Sequence, residues 1–293
     1  MTSVPSPTPQ PADSPAPSPA LTDAEQAAFL QSIARVRNAA ARALQAARAT
    51  AVQRAEATGA TGAESPAATE AAAQAAVDFI TQLHQGLDTV ANQALTTGPQ
   101  PACHAGCAHC CHLRVEATEP EVLRIAQHLR TLPAAEQAAA TRRLQQHVAA
   151  STPSATAIAQ TGPWSGHPLP EHSAQLTQAT QATHAAGQPC SFLVDNRCSI
   201  YSVRPAACRK AHSLSAAQCA ERAPTIAQNL RWLVDAEALM AGTTLAYRDQ
   251  PLPASAHELN AAVLAALVDD HPAAMLRWYQ GDAAALLARN AAT

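Results

Sequence analysis

Aromatic residues are scarce in this chain. Three Phe, three Trp and three Tyr make up 3% of its 293 residues, and much of the apolar fraction is alanine, which buries little surface at about 25 cal/mol per Å². The core is expected to be thin for the length, so a second source of order would help the fold. Lysine is nearly absent: Lys210 stands alone among arginines. No basic run is interleaved with aromatics, which argues against a nucleic-acid partner. Charge is nearly balanced, at 19 basic and 22 acidic residues, so nothing points to a steered anionic partner. The 10 glycines are few for phosphate-cradling loops, and G-x-G-x-x-G, P-loop, G-x-S-x-G and H-E-x-x-H patterns are all missing. Catalysis independent of a metal therefore has no visible support. No apolar run reaches the length of a membrane span. The opening MTSVPSPTPQPADSPAPSPA lacks the basic start and apolar stretch of a secretory signal. A cytoplasmic protein with no membrane partner is expected.

Along the chain, residues 1–20 are expected to form a disordered Pro/Ser-rich tail. Thr22-Asp23-Ala24-Glu25 has the form of a capping box. It opens a helical pattern through Glu56, with Phe29, Ile33, Val36, Ala40 and Leu44 at three- and four-residue steps. A second helix is expected from Pro66 to Leu95, which would make residues 21–97 an N-terminal helical hairpin. Gly98-Pro99-Gln100-Pro101 stops it. Helices are expected at Pro120–Arg130 and Ala134–Ala150, with a loop or linker insert over 151–171. A short β-hairpin follows, with Phe192–Val194 and Ser199–Tyr201 as arms and Asp195-Asn196 at the turn. Pro205 can start a short helix carrying Cys208. Residues 223–293 read as three C-terminal helices, broken near Pro251–Pro253 and His271–Pro272.

What the chain does have is cysteine, and only in two places. Cys103, Cys107, Cys110 and Cys111 lie in the stretch CHAGCAHCCH, and Cys190, Cys198, Cys208 and Cys219 follow about 80 residues later. Two such groups are what a site stapling distant segments would show. Thiolates suit zinc and iron–sulfur clusters, and crowding several of them is costly unless a cation holds them. Disulfides fit poorly with a reducing compartment and with adjacent Cys110-Cys111. That adjacent pair cannot easily chelate one ion, because neighbouring side chains diverge. A polynuclear cluster, or two nearby sites sharing the loop, suits it better. Residues 98–222 are accordingly read as a metal-binding domain.

The motifs resemble the YkgJ-like, or CxxCxxCC, family of zinc- or iron-chelating proteins. Cys103, Cys107, Cys110 and Cys111 are similar to its first motif. Its second, C-x-[FL]-L…C-x-I-Y-x-x-R-P-x-x-C-R, is met by Cys190, Phe192, Leu193, Cys198, Ile200, Tyr201, Arg204, Pro205, Cys208 and Arg209, with Cys219 and Arg222 trailing. Two departures are visible: the first cysteines are spaced by three where many members have two, and Ser191 stands where a proline is usual. The resemblance implies metal binding, often as an iron–sulfur cluster, with no established general reaction. Lysine methylases acting on flagellin carry a similar cysteine set, which leaves open whether the chain is an enzyme. Cys103-x3-Cys107-x2-Cys110 also matches the spacing of radical S-adenosylmethionine enzymes, but the βα units of that fold are not evident in the sequence.

Among the other candidates, His104, His109, His112 and His212 are expected to stand behind the ligands or face solvent, since eight thiols already complete two tetrahedral sites. His84, His128, His147, His257 and His271 are read as ordinary surface residues. Arg204 and Arg209 would offset thiolate charge and hydrogen-bond to sulfur, with a helix-to-hairpin ion pair as the plain alternative. Ile200 and Tyr201 would shield the site from water. The expectation is thus a mainly α protein: helical flanks around a small irregular cysteine-rich metal-binding module with a short β-hairpin. All eight cysteines would be ligands of one or two centres, iron–sulfur with [4Fe–4S] first, or zinc. A redox or substrate protein partner fits the first case. A zinc-stabilised adaptor without chemistry at the metal is the second, and exchangeable metal handling the third.

Overall fold

A computed structural model of the chain describes residues 22–60, 62, 65–151, 188–223, 225–268, 271–282 and 284–286. The expected tail over 1–20 and nearly all of the expected insert over 151–171 lie outside these residues.

Helix α1 runs Asp23–Ala57 and starts on the expected capping box: the Thr22 hydroxyl accepts the Glu25 N–H while the Glu25 carboxylate accepts the Thr22 N–H. Two of the chain's unpaired helix-end donors are satisfied reciprocally in this way. The expected single helix from Pro66 is two, α2 Pro66–Asp78 and α3 Ile80–Thr97, divided at Phe79. Phe79 is buried and packs edge-on against Tyr247, with ring centroids 6.0 Å apart, so the break serves a core contact. After a 3₁₀ turn at His109–His112 comes β1 Glu116–Thr118, then α4 Glu119–Thr131 and α5 Ala134–Ser151.

The hairpin forms from β2 Leu193–Val194 and β3 Arg197–Cys198. Asp195 and Asn196 both take left-handed backbone, with φ of 50° and 57°, as a two-residue primed turn requires. Such a tight turn pairs Val194 directly with Arg197. The second arm therefore begins at Arg197 rather than at the expected Ser199, and Tyr201–Val203 is instead a 3₁₀ turn. Short helices α6 Ala206–Lys210 and α7 Ala216–Ala220 carry Cys208 and Cys219. The C-terminal flank is α8 Leu230–Asp249, β4 Ala256–Glu258, α9 Leu259–Val268 and α10 His271–Tyr279. A second strand pair, unforeseen in the sequence, joins β1 to β4 antiparallel.

The fold is mainly α, with helical flanks around the cysteine-bearing segments. Helix α1 packs on α2 and α8, and α9 packs on α4 and α5. Gly242 on α8 permits the closest approach: a Cβ there would lie 2.5 Å from the Val36 side chain on α1, nearer than packed atoms tolerate. Few large side chains fill the centre, and alanine fills much of the rest. Leu123, Ile125, Leu144, Phe192, Ile200, Tyr247 and Trp278 are fully buried in one cluster with many alanines. No helix among the described residues is long and apolar enough to cross a membrane.

Two buried carboxylates on the first turn of α4 tie this assembly together. Glu119 accepts the Ser255 N–H at 2.6 Å and the His257 ring at 2.8 Å, which holds the approach to β4. Glu121 accepts the Thr118 N–H and hydroxyl, each at 2.9 Å, and the Ala206 N–H at 2.6 Å at the first residue of α6. His84 lies 3.5 Å from the same carboxylate. His84 is buried and His257 half-buried, each partnering a carboxylate, so neither is the ordinary surface residue expected, because the fold carries a glutamate to each. His147 is half-buried, with Nδ1 3.0 Å from the Pro189 carbonyl. The side chain of His271 lies outside the described residues.

Candidate metal centre

The two cysteine groups, distant in sequence, meet. The chain returns beside the first group at Cys190, whose N–H donates to the Cys111 carbonyl at 2.7 Å. The Ala102 N–H donates to the Ser213 carbonyl at 2.8 Å, and the Cys103 thiol lies 3.9 Å from that oxygen. Helix α7, with Cys219, contacts the 3₁₀ turn at His109–His112. Local backbone sets the spacing. Gly106, with φ of 89°, turns the loop so that the Cys107 N–H reaches the His104 carbonyl at 3.0 Å. Buried Phe192 and Ile200 anchor the hairpin, which fixes Cys190 and Cys198 on either side of it.

The sulfurs act on one another. Cys103 feels Cys107, Cys110 and Cys219. Cys111 feels Cys110, Cys190 and Cys198, and Cys208 feels Cys190, Cys110 and Cys198. Cys110 is common to both circles. All eight cysteines are free thiols; Cys103 and Cys110 are exposed and the others half-buried. Among the described residues, no three His, Cys, Asp or Glu side chains are arranged so that they could hold a metal ion as they stand. The thiols are thus gathered as neighbours without being closed into a cage.

Their electrostatics explain why a cation would be welcome. Burial pushes the Cys190 thiol up to about 12, and burial also raises Cys208, Cys198 and Cys103, with neighbouring sulfurs adding repulsion. Cys110 alone moves the other way, down to about 6. A hydrogen bond from Cys111 drives this, burial opposes it and the Arg204 charge assists. Cys111 is raised because it supplies that hydrogen bond. One thiolate is favoured in isolation, and further ones need a positive centre among them.

The charged neighbours divide their work. Arg204 acts on the sulfurs of Cys110, Cys198 and Cys208. Its guanidinium lies over the Tyr201 ring at 4.1 Å, and its buried Nε has no partner among the described residues. A buried donor left over beside thiols is what a site built for anionic sulfur would contain. Arg209 is spent elsewhere: Nη1 pairs with both Asp88 oxygens at 2.8 and 3.0 Å, Nη2 donates to the Ser202 carbonyl at 2.6 Å, and Nε donates to the Arg204 carbonyl at 3.0 Å. It thereby holds the turn from which Arg204 projects. Ile200 is buried as expected, whereas Tyr201 is 62% exposed and serves as a platform for Arg204 rather than as a water shield.

The histidines sort by their ring nitrogens. His212 has both engaged: Nδ1 donates to the Lys210 carbonyl at 2.9 Å, while Nε2 accepts the Asn229 N–H at 2.8 Å. Its ring also stacks on Trp232 at 3.9 Å, and burial lowers its pKa. It has no nitrogen to offer an ion. His104 is exposed, with Nδ1 3.2 Å from the Ala102 carbonyl. His112 keeps a buried Nδ1 with no partner among the described residues. The residue that sequence reasoning missed is Asn260 on α9, which meets Cys190 and Ser191; a lone asparagine far from the motif carries no signal.

A family model described as "Putative zinc- or iron-chelating domain", CxxCxxCC, matches residues 102–226. The match spans all eight cysteines and agrees with the resemblance drawn from the motifs. No curated protein and no solved structure matches the chain.

Proposed function

We propose that residues 102–226, which carry the zinc- or iron-chelating domain of the CxxCxxCC family, bind metal through Cys103, Cys107, Cys110, Cys111, Cys190, Cys198, Cys208 and Cys219, with an iron–sulfur centre as the first reading. The observation that carries this is the meeting of two cysteine groups at the Cys111–Cys190 backbone bond. The donor set is all soft sulfur, and its burial disfavours thiolates that lack a cation.

Iron–sulfur is favoured over one tetrahedral zinc by the company Cys110 keeps. Cys103, Cys111, Cys190, Cys198 and Cys208 all lie within electrostatic reach of it. That is more sulfur than one four-coordinate ion takes. A cluster, or two centres sharing the Cys110-Cys111 loop, uses it. When bound, such a cluster supplies one-electron chemistry. The chain's own part is to gather the thiols, offset their charge with Arg204 and fix the turns with Arg209 and Asp88. A redox or modifying role on a protein partner follows from the first reading; a zinc-held scaffold is the alternative the same donors serve.

Colour and composition test this. Protein purified without oxygen should be brown, with broad visible absorption and matching iron and acid-labile sulfide. Colourless protein with stoichiometric zinc alone would transfer the site to the scaffold reading. Protein holding neither metal would reject the proposal.

A further inference from the structure

The family match ends at residue 226, but the grip on Cys190 does not. Cys190 is the first residue of the second cysteine group, and the chain must be set down beside Cys111 at that point. The neighbouring Ser191 is where the placement is made. It is buried, and so is Asn260, on the first turn of α9 in the C-terminal flank. Asn260 Oδ1 accepts the Ser191 N–H at 3.2 Å and the Ser191 hydroxyl at 2.5 Å. It also lies 3.7 Å from the Cys190 sulfur.

The asparagine is itself fixed. Its Nδ2 donates to Glu258 at 2.8 Å and its backbone N–H to the same carboxylate oxygen at 3.1 Å, while the other oxygen accepts the Ala261 N–H at 2.8 Å. The amide cannot turn over without losing both the Ser191 donors and Glu258. Glu258 in turn ends β4, which pairs with β1 just beyond the first cysteine group. From the other side, Arg143 Nε on α5 donates to the Ser191 carbonyl at 3.0 Å. Ser191 stands where a proline is usual in the resembling motif. A proline would offer neither N–H nor hydroxyl, so this chain has a polar tether where only ring stiffness would otherwise act.

We propose that Asn260 is a positioning residue of the metal site, which places Cys190 beside Cys111 by gripping Ser191 and so makes the C-terminal helices part of that site. This rests on the metal-binding reading above. The geometry supports action through the backbone of residues 190–191: two of the three contacts go to Ser191, both to buried donors, whereas contacts to a thiol at 3.7 Å are weak.

The test uses the full chain loaded with zinc, and reads release of zinc to an excess of coloured chelator. Asn260→Leu should speed release by about tenfold, the lower end for loss of a group that orients a ligand. Ser191→Ala should give part of that effect. The double variant should be no faster than Asn260→Leu alone, because both act through one contact. In zinc-free protein, alkylation mapped by mass spectrometry should quicken at Cys190 and stay unchanged at Cys103 and Cys219. A merely structural role would quicken all three together. Release and alkylation equal to wild type in Ser191→Ala and Asn260→Leu, or a double variant with fully additive effects, would overturn the inference while leaving the metal site standing. If the unaltered chain takes up no zinc and carries no iron, both the inference and the reading beneath it fall.

Discussion

Cys208→Ser should lose metal and, with it, most of the stability of the cysteine segments. Cys208 sits on a five-residue helix, α6, and its sulfur interacts with Cys110, Cys190 and Cys198. A helix that short has little stability of its own. It is held by Glu121 at its first residue and by Arg209 at its end. Metal binding would supply the rest, since binding energy at such sites is folding energy. Removing a direct ligand should cost more than the roughly 10–100-fold in affinity typical of the groups behind ligands. Metal content measured on purified protein should fall by at least one equivalent, and the melting temperature should drop with it. The control is the metal-stripped pair: Cys208→Ser and the unaltered chain should then differ much less than the loaded pair, by at most the roughly 1–3 kcal/mol of placing a hydroxyl where a buried thiol stood. Equal metal content in the two proteins would strike Cys208 from the ligand set.

The second large effect is expected at Glu121, and it does not depend on metal. Burial by itself would raise this carboxyl. The donors from His84, Ala206 and Thr118 outweigh it and hold the group below the usual carboxylate range. Glu121→Ala leaves the Ala206 and Thr118 N–H groups without their acceptor. At about 1–3 kcal/mol for each buried group left unsatisfied, the loss should be roughly 3 kcal/mol by denaturant unfolding. Glu121→Gln keeps one acceptor for Ala206 and should cost less. The sign of the pH dependence follows from the lowered folded-state pKa. The unfolded chain takes up the proton first, so the stabilisation is complete above pH about 4.5 and is lost as pH falls through the folded value. Glu121→Gln should remove that part of the acid dependence. An unchanged stability profile below pH 5 in this variant would show that the carboxylate carries no such linkage.

The helices were largely legible because their ends carry local chemistry. Thr22 with Glu25, proline at residue 66 and the Gly98–Pro101 stretch act within a few residues, and their effects do not wait on tertiary contacts. The cysteine groups were legible for a different reason: nothing else in a chain so rich in alanine explains them. What could not be read depended on partners far away in sequence. Strands β1 and β4 are three residues each, too short to alternate, and exist because they pair with each other. His84 and His257 look like surface residues until Glu121 and Glu119 arrive beside them. Arg204 and Arg209 read as equals in the motif, yet Asp88 and two carbonyls claim the second, while the first keeps a buried Nε with no partner among the described residues. Tyr201 looks like packing, yet the residue is 62% exposed, its ring beneath the Arg204 guanidinium.

The most direct test of sulfur ligation is X-ray absorption at the metal edge of the purified, unaltered chain. A first shell dominated by sulfur at about 2.3 Å, joined by a short metal–metal distance if a cluster is present, is the predicted result. A first shell of nitrogen and oxygen would contradict the claim that cysteines from the two groups hold the metal.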